Sequence, residues 1–229
     1  MIAIVKYNAG NIGSVTNALN RLGVPNKVTD DPLELKTADK VIFPGVGEAG
    51  TAMKYLRERG LDSLLKELTQ PVLGICLGMQ LMCNYSEEGD TECLGIFDTM
   101  VKRFPEVRLR ESQDSKLKVP HMGWNSIVMS RNTNNTSTQD YTNQPGFPIQ
   151  GKSVGFSKAD KLIENLKPNN DVYYVHSYYA EICENTVASC NYILPFSSVL
   201  AKNNFYATQF HPEKSATVGE QIIKNFIDL

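Results

Sequence analysis

Pro71-Val72-Leu73-Gly74-Ile75-Cys76-Leu77-Gly78-Met79-Gln80 is the stretch on which the reading of this chain turns. Its first half is apolar, with β-branched Val72 and Ile75, and a short run of this kind reads as a buried strand. From Leu77 the spacing changes. Leu77, Leu81, Met82 and Tyr85 fall on one face of a helix predicted over residues 77–85. Strand and helix meet at Gly74-Ile75-Cys76-Leu77-Gly78, a Gly-x-Cys-x-Gly turn that is the cysteine form of a nucleophile elbow. A glycine on either side suits a bend with no room for a Cβ. Such a bend lifts the Cys76 sulfur off the end of the sheet and sets it at a helix N-terminus, where the helix dipole favours thiolate over thiol. Over these ten residues alone, an inert cysteine behind a core strand would read the same way.

Upstream, strands and helices alternate. Residues 2–7 read as a first strand and Asn8-Ala9-Gly10-Asn11 as a turn. A helix follows from residue 12 or 14 to 22, closed by Gly23 and Pro25. Val28 and Thr29 suggest a second strand, Asp31-Pro32 opens a small helix, and residues 41–43 form a third strand ending in Pro44-Gly45-Val46-Gly47. Two helices, 49–59 and 61–68, lead into the elbow. This alternation implies an α/β fold: an open, mixed, mostly parallel sheet flanked by helices, flavodoxin-like in outline.

Downstream the pattern is strand-like. Ile96, Val101, Phe104, Val107 and Leu109 fit strands better than helices, and Pro120-His121-Met122-Gly123-Trp124-Asn125 reads as a compact turn. Residues 130–150, mostly Asn, Thr, Ser and Gln, cannot bury much and read as an exposed or mobile loop. Strands are predicted at 172–176, 186–192, 199–202 and 205–209, and a helix at 219–229. With 229 residues and no convincing linker, the whole chain, 1–229, reads as a single domain. The net charge of -2 gives no sign of a nucleic-acid partner. No apolar run is long enough to span a membrane, and the N-terminus lacks a signal peptide's flanks. The five cysteines are odd in number and lack a Cys-x-x-Cys pair, which argues against a metal site or a disulfide framework and for a reducing cytoplasm.

A cysteine nucleophile needs a base, and the base needs a group to orient it. Of the three histidines, His211 sits in Gln209-Phe210-His211-Pro212-Glu213, at a strand end that a proline terminates. Reacting groups in open α/β sheets gather at the carboxyl ends of strands. Glu213, two residues on, can reach the far ring nitrogen of His211 and fix its tautomer. The order Cys76, His211, Glu213 is that of nucleophile, base and orienter. An oxyanion formed on attack needs N–H donors. Leu77 supplies one, and the loop Gly45, Val46, Gly47 can supply another. That loop contains no Gly-x-Gly-x-x-Gly, so a dinucleotide site is rejected.

Taken together, Pro-Gly-Val-Gly, Gly-Ile-Cys-Leu-Gly-Met-Gln and Gln-Phe-His-Pro-Glu-Lys-Ser resemble the triad-type (class I) glutamine amidotransferases. Three further stretches narrow the likeness: Tyr7-Asn8-Ala9-Gly10-Asn11, Pro120-His121-Met122-Gly123-Trp124-Asn125 and Val175-His176-Ser177-Tyr178-Tyr179. With them the chain resembles the glutaminase subunits of imidazole glycerol phosphate synthases. The resemblance implies that Cys76 attacks the side-chain amide of L-glutamine, that a γ-glutamyl thioester forms with loss of ammonia, and that water activated by His211 releases glutamate, with no cofactor and no metal. It implies that Gln80, Glu88, Ser177 and Tyr178 hold the glutamine, and that His176 packs beside the site. It also implies a heterodimeric partner, a (β/α)8-barrel cyclase of the HisF type, faced by Asn11, Trp124 and Lys214 and supplied with ammonia across the interface.

Three other readings share parts of this pattern. A paralogous synthase, such as one installing amidino groups on surface sugars, would keep the same triad. A cysteine hydrolase of the same fold would keep the elbow but not the His-Pro-Glu segment and the glycine loop. A non-enzymatic binding module would leave Cys76 inert.

Overall fold

The computed structural model describes residues 1–8, 10–106, 117–129, 158–167 and 170–229. In chain order the first half runs β1 (Ile2–Val5), α1 (Ile12–Arg21), β2 (Asn26–Thr29), α2 (Pro32–Thr37), β3 (Lys40–Gly45), α3 (Ala49–Glu58), α4 (Leu61–Glu67), β4 (Val72–Cys76) and α5 (Leu77–Leu81). Short strands follow: β5 (Tyr85–Ser86), β6 (Thr91–Glu92) and β7 (Met100–Arg103). The second half contributes β8 (His121–Ser126), β9 (Val128–Met129), β10 (Asp171–His176), β11 (Tyr178–Ala180), β12 (Thr186–Asn191), β13 (Pro195–Lys202), β14 (Phe205–Thr208) and α6 (Ala216–Asp228).

An eight-stranded sheet in the order β2-β1-β3-β4-β14-β13-β12-β9 forms the spine. Its first five strands are parallel; β13, β12 and β9 join by antiparallel pairing. The strands are apolar on both faces because helices cover both, as parallel sheets require. One core packs α3, α4 and α5 against one face, around Phe43, Met53, Leu56 and Leu77. The other packs α1 and α6 against the opposite face, around Ile4, Leu19, Ile75 and Phe226. Two of the helices, α2 and α3, start where a side chain accepts from exposed N–H groups. Asp31 receives the N–H of Leu33 and Glu34, and Glu48 receives those of Gly50 and Thr51.

Three local expectations are corrected. First, α5 ends at Leu81 rather than Tyr85. The N–H groups of Leu94, Gly95, Ile96 and Phe97 bond the carbonyls of Leu81, Cys83 and Met82, so a returning segment takes the acceptors that a longer helix would need. Second, the bend is narrower than the Gly-x-Cys-x-Gly reading implies. Gly74 and Ile75 are strand residues, and Cys76 alone turns the corner, at φ 53°. Third, Pro120-His121-Met122-Gly123-Trp124-Asn125 is mostly strand, since β8 pairs along its whole length with β10, from His121↔His176 to Ser126↔Asp171. Its Pro, Gly and Asn look like turn residues locally, but a partner about fifty positions away supplies the ladder. Val107, Leu109 and the predicted 130–150 loop lie outside the described residues. Among the described residues, no helix is long and apolar enough to cross a membrane.

Candidate active site

Register places the site. Cys76 ends β4 with Gly45, the end of β3, as its neighbour on one side. On the other side Ile75 is opposite Thr208, the last residue of β14, so the segment from Gln209 to Glu213 leaves the sheet beside the sulfur. Three carboxyl strand ends therefore deliver the elbow, the glycine loop and the His-Pro-Glu turn to one place. The positive φ of Cys76 is a conformation that non-glycine residues adopt only under constraint, and it is of the kind found at nucleophile elbows. Gly78, the second elbow glycine, has an ordinary backbone. What it lacks is space: a Cβ there would sit 1.8 Å from the Phe43 carbonyl oxygen. Leu77, first residue of α5, carries one of the N–H groups that no helix can satisfy internally.

His211 and Glu213 flank Pro212 in a single tight turn pinned to β10. The His211 N–H bonds the Tyr173 carbonyl, and the Ser215 hydroxyl both donates to the His211 carbonyl and accepts from the Tyr173 N–H. Both His211 and Glu213 side chains are inaccessible, and Glu213 Oε1 lies 2.7 Å from His211 Nδ1. This contact leaves Nε2 to face the sulfur, with no other partner among the described residues. Burial alone would push the His211 pKa down. The Cys76 sulfur and the Glu213 carboxylate override it and lift the value to about 10, so the arrangement favours an imidazolium beside the sulfur.

A cavity of about 210 Å³ opens over Cys76. Val46, Gly47, Leu77, Gln80, Glu88, Pro120, Val175, His176, Ser177 and Tyr178 complete its wall. Gln80 Nε2 donates to the Tyr178 carbonyl (2.9 Å) and to Gln209 Oε1 (3.1 Å), so only its oxygen is left to face a ligand. Glu88 accepts the Ala49 N–H at 3.0 Å, and burial raises its pKa. The glycine loop is braced twice. The buried Tyr7 hydroxyl donates to the Pro44 carbonyl at 2.6 Å, fitting only because Gly45 has no Cβ, and the Gly10 N–H bonds the Val46 carbonyl.

Asn11, expected to face the partner, is half-buried beside the triad. Its amide Nδ2 donates to Glu213 Oε1 and lies 3.3 Å from His211 Nδ1. Trp124 is 54% exposed and Met122, on the same face of β8, 53%. Lys214 is exposed. Among the described residues, no group of three or more His, Cys, Asp or Glu side chains is placed to hold a metal.

His121 and His176 form a second buried pair. His176 Nδ1 is 2.7 Å from the Tyr178 carbonyl and must be its donor, so Nε2 accepts from His121 Nδ1 at 3.1 Å. Asn125 Nδ2 closes the chain on His121 Nε2 at 3.4 Å. Burial lowers His121 to about 4; burial, with the neighbouring His121, lowers His176 to about 3. Both are therefore neutral at pH 7. Their folded values lie below the unfolded value, so their contribution is complete above pH ~6.5 and drains as the pH falls towards 4 and then 3. Each should remove about 2 kcal/mol of stability by pH 5. Between pH 7.5 and pH 5, urea denaturation of His121→Gln should show a loss about 2 kcal/mol smaller than the parent's; equal losses would mean that His121 protonates without unfolding the chain.

The family model for glutamine amidotransferase class-I matches residues 4–229. Among curated proteins, the chain is 53% identical to the imidazole glycerol phosphate synthase subunit HisH of Bacteroides fragilis, covering 100% of this chain and 99% of that one. It is 51% identical, with the same coverage, to the protein of that name from Bacteroides thetaiotaomicron. Among solved structures, it is similar in fold to a glutamine amidotransferase (TM-score 0.65, 17% identity, 100% and 98% coverage). It is also similar to PurLQS from Thermotoga maritima (TM-score 0.61, 14% identity, 99% and 97% coverage).

Proposed function

This chain belongs to the class-I glutamine amidotransferase family, and from that premise we propose that it is the glutaminase subunit of an imidazole glycerol phosphate synthase in histidine biosynthesis. It would act as one domain over residues 1–229, with Cys76, His211 and Glu213 as catalytic groups. The observation that carries the reading is the sheet register that sets the Cys76 elbow between the glycine loop and the His-Pro-Glu turn, above a cavity of amino-acid size.

The geometry supports the following course of reaction. Glutamine enters the cavity with its amino-acid head group held by Gln80 and Glu88, the Ser177-Tyr178 backbone forms the other wall, and its side-chain amide reaches Cys76. The Cys76 thiolate attacks the amide carbon. Leu77 N–H and a donor from Gly45-Val46-Gly47 hold the oxyanion. The imidazolium at His211 Nε2 gives its proton to the departing nitrogen, and ammonia leaves as the thioester forms. Neutral His211 then takes a proton from water, the hydroxide attacks, and the C–S bond breaks to return thiolate and release glutamate. Glu213 holds the ring through Nδ1 in both halves, and Asn11 holds Glu213.

The partner in this reading is a (β/α)8-barrel cyclase of the HisF type. Exposed Trp124 and Met122, with Lys214 beside the triad, supply an apolar and basic docking patch. Direct transfer is needed because ammonia in neutral water is mostly ammonium, which is not a nucleophile. The chain alone should release glutamate about 100-fold more slowly than the complex, in line with ordinary allosteric coupling; equal rates would mean that the partner does not activate the chain. An auxotroph lacking only its own glutaminase subunit should grow without histidine when given this chain. Soluble, glutaminase-competent chain without growth would assign its nitrogen to another acceptor.

A further inference from the structure

Gln209 lies outside the nucleophile-base-orienter set, yet its side chain is fully buried against the reacting atom. Its backbone N–H continues the β-ladder onto the Ser198 carbonyl, which fixes where the side chain starts. Its amide nitrogen lies 3.8 Å from Cys76 Sγ, within reach of an N–H···S hydrogen bond. The amide cannot turn over, because Gln80 Nε2 donates to Gln209 Oε1 and is itself fixed by the Tyr178 carbonyl. The sulfur thus meets two opposed groups. The Val175 carbonyl, 3.9 Å away, can only accept, so it serves the thiol. The Gln209 amide can only donate towards sulfur, so it serves the thiolate.

We infer that Gln209 is a further catalytic residue of this site, a neutral hydrogen-bond donor to the Cys76 thiolate held in place by Gln80. The assignment deepens the glutaminase reading and rests on it for its place in turnover. The donor favours the charged sulfur before attack. It does so again when the tetrahedral adduct of thioester and water collapses. There the C–S electron pair returns to Sγ, and the water proton has already passed to His211 Nε2. A thioester sulfur is a poor acceptor, so the contact weakens in the intermediate and returns on product release. The amide thus acts differentially along the reaction, as rate acceleration requires. An uncharged donor also leaves the imidazolium of His211 without a competing cation. The titratable groups around the sulfur among the described residues are His211 backed by Glu213, Tyr7 from the segment after β1, His176 from β10, Tyr178 from β11 and Glu88 across the cavity.

The test reads the sulfur directly. Full-length chain is alkylated with iodoacetamide across a pH series, and the Cys76 peptide is quantified by mass spectrometry. In Gln209→Leu the midpoint of Cys76 alkylation should rise by about one pH unit, the weight of one hydrogen bond to a charged group. Gln209→Glu, which puts an acceptor where the donor was, should raise it further. In the complex with the cyclase, kcat for glutamate release should fall about tenfold while KM changes little. An unchanged midpoint in folded Gln209→Leu overturns the assignment. The same question can be put to the unmutated chain: with glutamine side chains labelled with 15N, the Gln209 amide protons should shift across the alkylation midpoint, and absence of that shift also overturns it. If the parent chain proved to have no glutaminase activity while Gln209→Leu still moved the midpoint, the glutaminase reading would fall and the thiolate contact would stand.

Discussion

Cys76→Ala should reduce glutamate release by at least about 10⁴-fold and leave ammonium-driven turnover of the complex intact. The loss is large because the triad acts as a unit. Without the sulfur there is no thioester, and His211 and Glu213 have no nucleophile to serve. The fold should not suffer. Apart from His211 and its apolar packing, the side chain's polar contacts among the described residues are long ones, to the Val175 carbonyl and the Gln209 amide. Alanine also carries a Cβ, so the positive φ at residue 76 costs it no more than it costs cysteine. Glutamate release and ammonium-dependent product formation, measured on the same preparation, decide the matter. Residual glutaminase within tenfold of the parent would place the nucleophile elsewhere. Loss of both activities would mean that the variant disrupts docking rather than chemistry.

Gly78→Ala should be the most damaging single methyl in the described part of the chain that touches the elbow. The added Cβ would meet the Phe43 carbonyl oxygen at 1.8 Å, a backbone atom in the middle of a parallel strand that cannot swing away. Either α5 lifts or β3 bends, and both carry the site. The cost should exceed about 4 kcal/mol, above ordinary overpacking and a large part of the stability of a typical domain. Gly13→Ala is the matched control. It lies in α1 with nothing within 4 Å of the new Cβ, so it should be neutral or stabilising by up to about 1 kcal/mol. Urea denaturation midpoints of the two variants test the pair. Similar stability for both would show that β3 and α5 have slack that the packing does not reveal.

The elbow shows how far local pattern reaches. Val72, Ile75 and the glycines announce a buried strand leaving through a tight bend, and the order of strands and helices up to residue 81 is legible from periodicity. The reason for Gly78 is different in kind. The flanking glycines signal a bend with no room for a Cβ, but what takes the room is the backbone of a separate element, the Phe43 carbonyl of β3. The same limit appears at α5, which stops at Leu81 because residues 94–97 take its carbonyls, and at β8, whose turn-like composition hides a strand paired to β10.

The candidate site divides along the same line. Cys76, His211 and Glu213 stand out because each lies in a short segment whose chemistry is local: a bend that exposes a sulfur, and a strand end where a proline separates an imidazole from a carboxylate by two residues. Gln209 does not stand out, although it is part of the same segment. Its partner is 133 positions away, and the contact exists only because Ile75 and Thr208 share a register across β4 and β14. Asn11 is similar: locally it reads as a turn residue, and its contact with Glu213, 202 positions on, exists only in the folded chain. Backbone preference and apolar spacing act over a few residues, so one strand of sequence already carries the alternating α/β plan and the identity of the reacting groups. Which neutral amides close around the sulfur depends on strand order and register, and these are set by the packing of the whole sheet.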